Sequence, residues 1–113
     1  MLKPIISSFG PNALLLKWPS VIDAKMHAEI LLWESLIKTH FENDLIELVT
    51  TYAEMALYFA HPAPLKEVNT FIESIDVQNV LADKRKPTTW LIPVCYEPEF
   101  GLDISIVAEH NNI

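Results

Sequence analysis

Apolar positions fall into two kinds of run along this chain. Some are short and nearly unbroken; others recur every three or four residues. Residues 4–9 form a short run with Ile5, Ile6 and Phe9 as its apolar members. Residues 13–18, Ala-Leu-Leu-Leu-Lys-Trp, form a second. Gly10-Pro11-Asn12 separates them with three turn-forming residues. A short apolar run alone does not tell a strand from a buried helical segment. The turn before the second run and Pro19 after it favour two strands in a hairpin-like unit.

The next pattern is longer. Ile22, Met26, Ile30, Trp33 and Ile37 recur at helical spacing, while Lys25, Glu29 and Glu34 lie off that face. This predicts an amphipathic helix over residues 21–38, with Thr39-His40 fraying it out. Ser20 is placed to cap its first turn, with Asp23 three residues on as an imperfect capping box. A stripe of this kind has to be buried against a sheet or another helix.

Asn43-Asp44 then turns the chain into a second β–β unit. Residues 45–50 are β-prone with Glu47 as their one charge, and residues 55–60 follow after a short polar link. His61-Pro62-Ala63-Pro64 closes that unit, because proline does not continue a ladder. A second helix follows on Leu65, Val68, Phe71 or Ile72, and Ile75, ending near Asp76. Residues 77–86 grow steadily more polar and read as a linker that carries Lys84-Arg85-Lys86 as a solvated cluster. Pro87 stops whatever precedes it. Residues 88–94 read as a fifth strand, and Asp103 is placed to cap a short helix over residues 104–109.

The order β-β-α-β-β-α predicts an α+β fold: a two-layer sandwich of one antiparallel or mixed sheet with both helices on one face. Residues 1–86 are assigned to this N-terminal domain, and residues 87–113 to the start of a second one.

Composition narrows the class. Half of the 113 residues are hydrophobic and a fifth are charged, as in a globular protein. No uncharged run reaches the length of a membrane helix. The N-terminus lacks the pattern of a signal peptide, so a cytoplasmic protein is expected. Fifteen acidic residues against eight basic ones give a net charge of −7. That balance argues against a nucleic-acid surface, which needs a basic stripe.

Candidate chemistry is sparse. Two glycines, Gly10 and Gly101, do not build a glycine-rich phosphate loop. His27, His40, His61 and His110 include no i, i+4 pair of the kind that holds a metal on a helix. His27 falls off the apolar stripe and reads as a surface residue. Trp18, Trp33 and Trp90 read as core or interface packing. Cys95 is the single cysteine, and a lone cysteine after Pro93-Val94 reads as buried and inert. The densest stretch is Ile92-Pro93-Val94-Cys95-Tyr96-Glu97-Pro98-Glu99-Phe100-Gly101. It combines an entering strand, a proline that removes a backbone donor, and two further turn-formers.

That stretch, continued by Asp103 and Val107-Ala108, resembles the centre of the family formed by the B component of bacterial 5-oxoprolinase. The family has also been described as allophanate hydrolase subunit 1 and includes a sporulation histidine-kinase inhibitor. Gly10 with residues 13–16 looks like the family's early Gly-x-x-Ala-Leu-Leu-Val strand. Glu47-Leu48-Val49, Tyr52 and residues 55–59, closed by Pro62, look like its Val-Val-Pro-x-Tyr-Arg-Ser-Leu-Leu-Val region. The chain departs from that pattern at Ala53, where the family carries arginine, at Glu97-Pro98, where it carries glycines, and at Leu102, where it carries proline. Family members are about twice as long, with a cyclophilin-like β-barrel after the motif, so the chain resembles an N-terminal part of one.

The resemblance implies ATP-dependent opening of 5-oxoproline to glutamate by a complex with subunits C and A, and leaves room for a homodimer. ATP activates the ring through a phosphorylated intermediate that water attacks. Tyr96, Glu99 and Asp103 are the residues it puts forward as catalytic, with no metal and with ATP held at the level of the complex. Two other activities travel with the same family: allophanate hydrolysis, and inhibition of a sensor histidine kinase.

Overall fold

The structure is a computed structural model that describes residues 2–76 and 88–113. The chain divides into two compact units, Met1–Asp83 and Lys84–Ile113. The linker expected over residues 77–86 lies outside the described residues.

The first unit is built on a four-stranded antiparallel sheet. Its strands are β1 (Ile5–Ser8), β2 (Ala13–Lys17), β3 (Leu45–Thr50) and β4 (Glu54–Phe59), in the order β1-β2-β4-β3. Two hairpins are therefore joined through their second strands, with Leu14 opposite Leu57 and Leu16 opposite Met55. The first hairpin turns at Gly10, whose φ of 85° is the left-handed region that glycine occupies without strain. β3 is irregular between Leu45 and Glu47, where an extra residue bulges the edge.

Strand alternation decides which side chains go inward. Leu14 and Leu16 of β2, and Met55, Leu57 and Phe59 of β4, are all at most 2% exposed. Two helices bury their stripes on that one face: α1 (Ala24–His40) with Met26, Ile30, Trp33 and Ile37, and α2 (Leu65–Ser74) with Val68 and Ile72. Each fully buried Leu or Ile stabilises the fold by about 1.5–3 kcal/mol relative to an exposed one, so this single cluster holds the unit together. The α+β class, the four strands and the two helices agree with the sequence pattern.

Several details differ from it. Asp23, not Ser20, caps α1: its Oδ1 accepts the Met26 amide at 2.7 Å, and its own backbone is extended. Val21 N–H turns back to Pro19 C=O at 2.8 Å, which keeps residues 19–23 out of the helix. Ile22 consequently misses the stripe and is 94% exposed. At the other end α1 runs on through His40. Phe41 accounts for this: its amide bonds Ile37 C=O at 2.9 Å, and its buried ring packs edge-on against Phe59 and Phe71.

The N-terminal segment is anchored by one backbone carbonyl. Leu2 C=O accepts the indole N–H of Trp18 at 3.2 Å and of Trp33 at 3.0 Å. Both rings are buried, and a buried indole N–H needs a partner.

In the second unit, residues 88–96 form no strand among the described residues. This corrects the fifth strand read over residues 88–94. An apolar run is β-prone, but a ladder needs a paired neighbour, and Pro93 removes one of its donors. Residues 97–101 make a tight turn, with the Phe100 and Gly101 amides both on Glu97 C=O at 2.9 Å. A short helix, α3 (Ile104–His110), follows. Asp103 stands at its N-cap without a side-chain hydrogen bond, so its capping role is backbone only. The helix closes in a left-handed turn at Asn112, φ 58°, with Asn112 N–H on Glu109 C=O and Ile113 N–H on Ala108 C=O.

Candidate functional site

The residues put forward as catalytic all belong to the second unit. Tyr96 is the last residue before the tight turn, Glu99 lies within the turn, and Asp103 begins α3. All three are exposed, Tyr96 at 76%. The turn that carries Glu99 owes its shape to Pro98 at its second position and to Gly101 at its end. A side chain at Gly101 would overlap Ile104 Cδ1. Glycine thus lets the first turn of α3 fold back on the turn before it.

Cys95 is exposed, which corrects the reading of a buried, inert thiol. Trp90 is 82% exposed and Leu91, Ile92 and Val94 stand with it; of the core or interface packing read for Trp90, this removes the core alternative. Hydrophobic pattern alone does not distinguish a strand interior from an apolar segment left at a surface.

Two concave regions of the first unit are of a different kind. Between α1 and α2, His40 stacks on Phe71, with ring centres 4.0 Å apart and 20° between planes. Shallow hollows of about 410 and 430 Å³ lie on either side of that stack. Lys66, Glu67, Thr70 and Ser74 edge one, and Ser35, Leu36, Thr39 and Ile75 edge the other. His40 is thus held by aromatic packing where the sequence suggests a fraying helix end. His27 is exposed, in keeping with its position off the stripe. His61 pairs with Asp44 at 3.3 Å across the loops that flank the second hairpin.

The second region is a small pocket beside the β3–β4 turn, lined by Trp18, Ser20, Thr51, Tyr52, Ala53 and Glu54. Ser20 Oγ and Tyr52 Oη are 3.3 Å apart. The sequence marks Tyr52 only as part of a family motif. Nothing in the spacing of residues 18–20 and 51–54 shows that two strand ends meet there; that requires the β2–β4 pairing.

The described residues hold no group of three or more His, Cys, Asp or Glu side chains that suits a metal ion. None of their helices is long and apolar enough to cross a membrane. Lys38 shares its hollow with Glu42 and Glu47, and Lys66 shares its own with Glu67, so carboxylates offset each lysine.

A family model described as carboxyltransferase domain, subdomain C and D, matches residues 4–113. No curated protein and no solved structure matches the chain.

Proposed function

Because the chain belongs to the carboxyltransferase domain family, subdomain C and D, over residues 4–113, we propose that it is a non-autonomous subunit of an ATP-dependent enzyme complex. The specific reading is the B component of a 5-oxoprolinase, which opens 5-oxoproline to glutamate together with subunits C and A. The observation that carries it is the stretch from Ile92 to Gly101: it bears the most specific likeness to that family, and its apolar side chains stand exposed.

In this reading the first unit is a scaffold, and residues 88–113 supply contact surface to the partner subunits and to a cyclophilin-like barrel. ATP is assigned to another part of the complex, since the lysine-bearing hollows here carry carboxylates as well. Tyr96 and Glu99 are placed at the shared catalytic surface, where a phenol and a carboxylate suit proton transfer to and from a ring amide. Asp103 positions the start of α3 through its backbone, whose carbonyl accepts the Val107 amide at 2.9 Å.

The test is 5-oxoproline-dependent ATP hydrolysis by the protein mixed with its candidate subunits A and C. Activity that requires this chain, and that falls with Tyr96→Phe or Glu99→Gln, supports the assignment. Full activity in a complex that lacks residues 1–86 would remove the scaffold role. Turnover of allophanate but not 5-oxoproline would move the chain to the amidohydrolase reading. Tight binding to a kinase's dimerisation helices with loss of autophosphorylation would make it a regulator.

A further inference from the structure

The sheet of the first unit buries one of its faces under α1 and α2. Strand alternation turns the intervening residues to the opposite face. On the two central strands these are Ala13, Leu15 and Lys17 of β2 and Glu54, Ala56 and Tyr58 of β4. Antiparallel pairing sets them side by side in three rows: Ala13 beside Tyr58, Leu15 beside Ala56, and Lys17 beside Glu54. The edge strands extend the middle row, with Ser7 next to Leu15 and Val49 next to Ala56.

Each row joins unlike members. Two rows pair a large side chain with alanine, and the large one changes strand between them, from Tyr58 on β4 to Leu15 on β2. The third pairs a cation with an anion: Lys17 Nζ lies 3.5 Å from Glu54 Oε1, and both side chains are about half exposed.

Such a face complements itself. A second copy related by a two-fold axis along the strands, midway between β2 and β4, lays β2 of one copy over β4 of the other, row on row. Leu15 then meets Ala56, Tyr58 meets Ala13 and Lys17 meets Glu54, each contact made twice. Large over small lets the two faces interdigitate at the ~10 Å spacing of stacked sheets. The four charges close a square, each with an opposite charge beside it and another across from it. A two-fold across the strands sets Lys17 over Ala13 and Glu54 over Tyr58, which leaves charges against apolar groups.

The net charge of −7 opposes self-association in general. On this face, however, the acidic strand residues are Glu54, which Lys17 balances, and Glu47 at the exposed edge strand. A partner recognised by one sign of charge finds none in excess at the centre of the face, whereas a second copy finds both signs where it needs them.

We propose that this face is the interface of a homodimer in which two copies stack sheet on sheet, β2 over β4. Four strands of about five residues cover roughly 300 Å² in projection. That is smaller than the ~800 Å² per partner of a standard interface, so the dimer is weak, with a Kd on the order of 100 µM. The proposal rests on the sheet of the first unit and is independent of the enzyme assignment.

The experiment is sedimentation equilibrium of the 113-residue chain at fixed ionic strength, from about 10 µM to about 1 mM so as to bracket that Kd. A monomer–dimer equilibrium is expected. Lys17→Glu and Glu54→Lys each set like charges across both contacts and should weaken the dimer at least about tenfold. An equimolar mixture of the two variants, both still acidic overall, restores opposite charges at both contacts, as does the double variant. Each should return the Kd to within about threefold of the original. The double variant also keeps the pair within each chain, so it remains readable if a single reversal fails to fold. Ala56→Tyr fills the space that the partner's leucine needs, is β-prone at an outward position, and should abolish the dimer with the circular dichroism unchanged. A monomer at every concentration, a dimer that the single reversals leave unchanged, or one that neither the mixture nor the double variant recovers would overturn the proposal.

Discussion

Joining Met1 directly to Pro4, so that Leu2 and Lys3 are deleted, should destabilise the first unit by about 2–6 kcal/mol, far more than removal of two exposed terminal residues suggests. The reason is the Leu2 carbonyl, which accepts both buried indoles, at 3.2 Å from Trp18 and 3.0 Å from Trp33. Leaving a buried donor without an acceptor costs about 1–3 kcal/mol each. The remaining interactions of these two residues are minor: Leu2 N–H on Glu29 Oε2 and the Lys3–Glu73 pair are exposed, and exposed pairs contribute about 0–1 kcal/mol. Domain stabilities are about 5–15 kcal/mol in total, so the shift is easily read in urea unfolding followed by far-ultraviolet circular dichroism. Two controls separate the causes. Lys3→Ala alone should cost at most about 1 kcal/mol. In a Trp33→Phe background the deletion should cost about half as much as in the natural chain, because one of the two orphaned donors is already gone. Tryptophan emission should also move to longer wavelength in the deletion variant as water reaches the two indoles. A deletion cost that is the same in both backgrounds, or no larger than that of Lys3→Ala, would refute the reasoning.

Three further outcomes follow from local geometry. Asp23→Ala removes the side-chain bond to the Met26 amide at 2.7 Å and should cost about 1 kcal/mol, measured by urea unfolding, whereas Ser20→Ala should leave α1 unaffected. Gly10→Ala should cost about 1 kcal/mol although open space surrounds the position, because its φ of 85° is strained for any side chain; Pro11→Ala is the matched control on the same hairpin. Cys95 is exposed, so a thiol reagent should label it in the folded protein as fast as in urea; a strongly slowed reaction in the native state would contradict its placement.

Much of the first unit can be read from periodicity. Met26, Ile30, Trp33 and Ile37 announce the buried face of α1 because a helix repeats its faces every three to four residues. The stripe fails at Ile22, since periodicity does not sense that the Pro19–Val21 turn and the Asp23 cap start the helix three residues later, at Ala24. Phe41 continues the same spacing four residues after Ile37, but the polar Thr39-His40 marks an end before it, and its contacts with Phe59 and Phe71 show why the helix runs on to it. Residues 88–94 read as a strand because they are apolar and β-prone, yet strand formation depends on a partner edge that composition does not contain.

The same division holds for function. Local sequence determined the strands and helices of the first unit, the turn at Gly10, and the residue types of the stretch from Ile92 to Gly101, because each of these depends on neighbours within a few positions. Tertiary structure alone decided that β2 pairs with β4, and through that pairing that Trp18, Ser20, Tyr52 and Glu54 share one pocket. It also decided that one backbone carbonyl serves two tryptophans. These are contacts between residues tens of positions apart, set by how apolar faces pack and how each buried polar group finds a partner, and no short-range pattern encodes them.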